Sequence, residues 1–272
     1  MKTVILSFDD ARQDFYTNVF PLLKKYRIPA TLNVISDFVL NPQRYSYPSG
    51  DNKSMTVEQV KECAESGLVE IACHGHTHDN TRKDVEENIG TMRSWGIDTQ
   101  RIGFASPFSN LTWSNKNDNG IWDLVKEHKI AYVRSGLQIR REGMIYTCLS
   151  LLDRFIHSKF LFKILNTRTL PPSYINQSKC QHADEPFFLS TAIYSYTAPR
   201  QIKYFIDHVA SDSVVILMLH SVIKRNEPGY GADKFYYDYD RFVKMLDFLK
   251  NDSQITFYTT MDYVKNQYFS KV

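Results

Sequence analysis

Short apolar runs of strand length recur along this chain, separated by stretches of helical periodicity. That alternation restricts the fold more than any other feature. Thr3–Phe8 (TVILSF), Ala30–Ser36 (ATLNVIS), Leu68–Cys73 (LVEIAC), RIGFAS, IAYVRS, Ser213–Leu219 (SVVILML) and Gln254–Thr260 (QITFYTT) are the strand candidates. Between them lie helical patterns at Asn18–Lys25, Ser54–Gly67, Thr81–Gly96 and Tyr239–Asn251. In the second of these Thr56 is a capping residue and Gly67 a terminator. Buried strands alternating with helices build βα units around a parallel sheet, so the expectation is an α/β fold closed as a barrel.

Polar residues fall at the ends of these runs. Asp9 and Asp10 follow VILSF, the triplet His74, His76 and His78 follows LVEIAC, and SPF follows RIGFA. Arg134 closes IAYV and His220 closes SVVILML. The carboxyl ends of barrel strands are where such folds gather their active sites, so five such endings point to one site. On a regular strand the side chains of Asp9 and Asp10 would face opposite ways, but a turn at the strand end lets both reach one cavity. Two carboxylates at close quarters repel unless a cation or proton separates them, so one is expected to ligate a metal and the other to act as a base. Imidazoles suit zinc and similar ions. Gly75 breaks the strand into a turn, which brings His74 and His78 together as the ligand pair and sets His76 aside as a non-ligand. His220, on the same face, is the candidate general acid.

The chain has 272 residues, a net charge of +3 and no run of Lys or Arg, which gives no footprint for nucleic acid. Its 17 Tyr and 17 Phe suit carbohydrate stacking, and equally a well-filled core. The opening MKTVILSFDDARQD reads as a strand rather than an export leader, and the four cysteines show no CxxC pairing. The expectation is therefore a cytoplasmic protein with reduced thiols. No stretch has the length of a membrane span. Residues 1–272 read as one domain with an insertion at about 138–186. Within it Leu149–Asn166 is apolar and basic, a helix that covers core or touches a membrane surface or lipid-linked substrate. Oligomeric state is not readable.

Ser7-Phe8-Asp9-Asp10, Glu70 through His78 and Leu217-Met218-Leu219-His220 together resemble the motifs of the polysaccharide deacetylases, carbohydrate esterase family 4, which share the NodB homology domain. The resemblance implies a distorted (β/α) barrel and a metal-dependent hydrolase that removes an N-acyl group, usually acetyl, from an amino sugar or glycan precursor, with metal-bound water as nucleophile. It assigns Asp9 as base, Asp10, His74 and His78 as ligands of a divalent metal, often zinc, and His220 as acid. If Ala105-Ser106-Pro107-Phe108 corresponds to the family's R-x-P-Y, the Phe108 N–H serves the oxyanion. Ala105 stands where the family has an Arg that pairs with the catalytic Asp, and no acidic partner for His220 is visible around AYVRSG. Arg134 is expected to supply the missing guanidinium and to keep Asp9 ionised. A hydrolase of a non-sugar C–N bond on the same fold, or a glycan-binding homologue without turnover, are the alternatives.

Overall fold

A computed structural model describes residues 1–45, 53–136, 185–209 and 211–269. The expected insertion at about 138–186 falls almost wholly outside them, as does Leu149–Asn166. Seven strands form a closed parallel barrel: β1 (Lys2–Asp9), β2 (Ala30–Val34), β3 (Val69–Cys73), β4 (Ile102–Ala105), β5 (Ile130–Gly136), β6 (Phe187–Ala192) and β7 (Val214–Leu219). Closure comes from β1, which pairs with β7 along Thr3–Phe8 and with β2 along Leu6–Asp9. The lower part of the same edge, Lys2–Val4, pairs with the short β10 (Ile255–Phe257). Two further strands, β8 (Ser221–Ile223) and β9 (Tyr236–Asp238), pair with each other beside the barrel mouth. β6 was not among the expected strands.

Helices such as Val57–Glu65, Arg82–Ser94 and Tyr239–Lys250 turn an apolar face to the main core around the barrel. Alternation along β1 sends Val4, Leu6 and Phe8 outward into the main core, where the Phe8 ring meets Phe15 at 5.0 Å and Phe242 at 6.0 Å. Helix Val57–Glu65 starts at a capping box in which Thr56 and Gln59 satisfy each other's backbone N–H groups. Helix Phe20–Tyr26 carries Pro21 in its first turn, where no N–H is needed. It is preceded by a wide π turn over Phe15–Val19. No described helix is long and apolar enough to cross a membrane.

The inward residues make the barrel's second, smaller core. Ile5, Tyr132, Phe188, Val214 and Ile216 pack there with Val264 of the C-terminal helix Thr260–Val264. Above them runs a buried polar layer. Glu70 on β3 accepts from Tyr132 Oη on β5 at 2.6 Å, from Thr31 Oγ1 on β2 at 2.8 Å and from the Met261 N–H at 2.8 Å. β3 and β5 are not neighbours, so this bond crosses the barrel interior. Gly103 on the intervening β4 makes room for it: a Cβ there would stand 2.1 Å from the Tyr132 ring. The interior is thus filled at its base, and the polar groups that remain unfilled lie at the carboxyl ends of the strands.

Candidate metal and catalytic site

The site begins where β1 ends. Asp10 and Ala11 stand at φ 79° and 53°, in the left-handed region, so the chain leaves strand geometry and both consecutive carboxylates turn to one side. Both are buried. Asp9 Oδ1 accepts from Arg134 Nη2 at 2.5 Å and from Asn33 Nδ2 at 2.8 Å, while its Oδ2 faces His74 Nε2 at 3.8 Å. Asp10 Oδ2 accepts from both Nε and Nη2 of Arg12, at 3.0 and 2.9 Å. Its Oδ1 has no hydrogen-bond partner among the described residues and lies 3.6 Å from His74 Nε2.

The histidine loop is made by Gly75 at φ 80° and His78 at φ 65°. A Cβ on Gly75 would fall 2.6 Å from Asp84 Oδ2, so the turn requires glycine on two counts. Asp84, in the first turn of helix Arg82–Ser94, accepts from the N–H and hydroxyl of Thr77 at 2.9 and 2.6 Å, and from the Asp79 N–H at 3.2 Å. Asn88 of the same helix donates to Gly75 O at 2.6 Å. The result brings the His74 and His78 rings to 4.8 Å. His76 points elsewhere: its Nδ1 is 2.8 Å from Ser36 Oγ and its Nε2 3.4 Å from Glu87.

Asp10, His74 and His78 each offer one ligand atom, all within 4.8 Å of one another, and form the sole metal-capable group of this kind among the described residues. The donor set fits a divalent ion. His74 Nδ1 is 2.8 Å from Ala105 O, and since a carbonyl can only accept, the proton sits on Nδ1 and Nε2 carries the free lone pair. Burial, outweighing the pull of Asp9 and Asp10, lowers His74 below the ordinary imidazole value. Burial and then His74 bring His78 down to about 4. Both rings are therefore neutral at pH 7, the form in which an imidazole can ligate a metal. The orphaned, buried Asp10 Oδ1 completes two nitrogens and one oxygen, a set that leaves coordination positions for water and substrate.

The two carboxylates stay ionised for a common reason. Burial would raise each, but Arg134 beside Asp9 and Arg12 beside Asp10 hold them below the ordinary carboxylate value. His220 follows β7 directly, half-buried, near enough for the charges of Asp10 and Asp9 to bear on it, though burial lowers it overall. Its Nδ1 is buried without a hydrogen-bond partner among the described residues, and its ring lies 5.1 Å from Phe235. Phe108 stands at φ 53° on the loop after β4, exposed, with its ring 4.3 Å from His78. Asp9, Asp10, His74, His78, Arg134 and His220 are thus brought into one cavity mouth with Phe108 at the rim.

Sequence reasoning missed two contributors, Arg12 and Asn33. In FDDARQD an arginine among acids looks like any solvated turn, and only burial to 2% exposure distinguishes it. Asn33 lies inside an apolar strand run, and its inward polar side chain was the available signal.

Residues 1–130 match the sequence model of the polysaccharide deacetylase family. The poly-beta-1,6-N-acetyl-D-glucosamine N-deacetylase of Staphylococcus epidermidis is 35% identical over 142 residues, which is 50% of this chain and 46% of that protein. The enzyme of the same name from Escherichia coli (strain K12) is 40% identical over 78 residues, 27% of this chain and 12% of its own. The chain therefore spans less than half the length of these curated relatives. A solved peptidoglycan N-acetylglucosamine deacetylase is 12% identical, covers 98% of this chain and 88% of its own, and superimposes with a TM-score of 0.51, a likeness of fold.

Proposed function

We propose, from the match of residues 1–130 to the polysaccharide deacetylase family, that the protein removes N-acetyl groups from a β-1,6-linked N-acetylglucosamine polymer with zinc as cofactor. The observation that carries this reading is the Asp10–His74–His78 group beside an Asp9 whose charge Arg134 maintains. The substrate follows the names of the relatives that share the motif-bearing half of the chain.

Asp10 Oδ1, His74 Nε2 and His78 would hold a divalent ion, which would supply Lewis acidity and lower the pKa of water at the site. Asp9 is the base. Its Oδ1 is taken by Arg134 and Asn33, so Oδ2 receives the proton of the attacking water. The Phe108 N–H serves the developing oxyanion. His220 passes a proton to the departing amine.

Amine release from β-1,6-linked N-acetylglucosamine oligomers tests the proposal, with the metal content of the purified protein measured alongside. Asp9→Asn is expected to lower kcat by about 10²- to 10⁴-fold, the usual worth of a positioned base. His74→Ala and His78→Ala are expected to lose the metal. Undiminished turnover in Asp9→Asn, or unchanged metal content in both histidine variants, would overturn the assignment.

A further inference from the structure

We propose that Arg12 is a positioning residue that aims Asp10 at the metal and ties this ligand to the segment following His220; the inference rests on the metal reading above. Arg12 is one of the largest fully enclosed side chains in the protein. Its Nε and Nη2 both donate to Asp10 Oδ2, which clamps that oxygen and leaves Oδ1 as the one oxygen turned toward His74. A carboxylate held this way ligates through a single oxygen. The guanidinium does not end there. Its Nη1 donates to Ser221 Oγ at 3.1 Å, and Ser221 is the residue immediately after His220. Next along, the Val222 N–H donates to Asp14 Oδ2 at 2.6 Å.

One loop, residues 10–14, therefore holds a metal ligand at one end and grips the backbone after His220 at the other. The carboxyl ends of β1 and β7 are neighbours in the sheet, Phe8 opposite Leu219. The loop fastens them at the point where register pairing stops. Without that fastening Asp10 would be free to rotate, and His220 would lose the anchor that follows it.

A simpler role for Arg12 is charge balance alone, and lysine separates the two. Lys at this position keeps the positive charge but cannot place two N–H groups on one carboxylate oxygen while reaching Ser221. The experiment strips the full chain of metal and titrates it with Zn²⁺ and with Co²⁺ against a chromophoric chelator, with circular dichroism confirming the fold. Arg12→Lys is expected to bind each ion about 10- to 100-fold more weakly, the usual effect of losing a group that orients a ligand. Affinity equal to or tighter than that of the unaltered protein would overturn the proposal, because charge balance would then suffice. Should Arg12→Lys fail to fold, Ser221→Ala decides: it keeps the fork on Asp10 and removes its far anchor. A loss of about fivefold, the worth of one hydrogen bond, supports the coupling. Unchanged affinity overturns it. If the unaltered protein takes up neither ion while His78→Ala behaves identically, the metal reading itself fails and Arg12's role falls with it. If it binds and Arg12→Lys matches it, only the inference on Arg12 fails.

Discussion

Replacing Arg134 with methionine removes the guanidinium and keeps much of the stem's packing. Arg134 and Asp9 are both buried, 2.5 Å apart, and once the guanidinium is gone Asn33 is the partner left to Asp9. At the effective dielectric that suits protein sites, two unit charges about 4 Å apart interact by about 4 kcal/mol. Breaking a buried pair by removing one member costs about 3–5 kcal/mol, a figure of the same size. The pH dependence carries the sign. In the unaltered protein burial alone would raise Asp9, but Arg134, with His74 and His220 beside it, together bring the folded value below its ordinary 3.8. Its contribution is therefore present at neutral pH and is lost as pH falls through the folded value. In Arg134→Met burial prevails, the folded value moves above the unfolded one, and stability instead declines as pH rises through that window. Urea denaturation of the metal-free protein at pH 5 and pH 8 reads both effects. The variant is expected to be about 3–5 kcal/mol less stable at pH 8, with a narrower gap at pH 5. The double variant with Asp9→Asn should recover part of the loss, because no charge is then left buried alone. A gap that is the same at both pH values, or below about 1 kcal/mol, would refute the ion-pair account.

Three further outcomes follow from other parts of the structure. Burial pushes Asp14 up to about 6 despite Arg12 and the Val222 N–H, so its folded value exceeds its unfolded value of 3.8. Stability should then fall by about 3 kcal/mol between pH 4 and 6 from this group, at about 1.4 kcal/mol per pH unit; Asp14→Asn should flatten that slope, and an unaltered slope in the variant would contradict it. Gly75→Ala forces a Cβ against Asp84 at φ 80°, costing about 1–3 kcal/mol of stability together with metal affinity; a variant with unchanged melting temperature and metal uptake would show that the turn does not need glycine. Glu70→Leu leaves the Tyr132 hydroxyl and the Met261 N–H without their acceptor inside the barrel. The expected loss is about 1–3 kcal/mol for each group, and thermal melting at or above that of the unaltered protein would refute it.

What could be read beforehand was what one local pattern decides. β1, β2, β3, β4, β5 and β7 announced themselves because each is a predominantly apolar run between turn residues, as both faces are covered, even where Asn33 in β2 or Glu70 in β3 interrupts it. β6 did not. Its run FFLSTA is cut by Ser190 and Thr191, and Ser190 is polar because it faces Arg134 inside the barrel, where its Oγ accepts from Nη1 at 3.3 Å. Polar interior positions that serve the site thus hide the strand that carries them. Arg134 itself was readable, since a charge ending an apolar strand has few reasons to be there. Arg12 was not, because its meaning depends on Ser221, 209 positions away, and only closure of β1 against β7 brings the two together. That His74 and His78 come together while His76 points away was readable for a converse reason: Gly75 decides locally which histidines share a side.

The arginines also explain how the cavity tolerates its carboxylates. Asp9 and Asp10 each direct one oxygen to within 4 Å of the same His74 nitrogen, an arrangement that self-repulsion would oppose in a buried site. Each carboxylate, however, gives its other oxygen to its own guanidinium, so the four groups sum to zero charge before any cation arrives. The pairing also divides the labour. Asp10, with one oxygen clamped and the other orphaned beside two neutral imidazoles, is placed to act as the ligand we propose; Asp9, clamped by Arg134 and Asn33 and set slightly farther from His74, has its second oxygen available for the proposed proton transfer. The guanidinium on Asp9 comes from β5 here, whereas the motif the chain resembles would bring it from the position of Ala105 on β4. Ala105 and Arg134 are direct register partners across those two strands. A side chain rooted at either reaches the same end of the barrel, so the charge that Asp9 requires can move one strand sideways without moving the site.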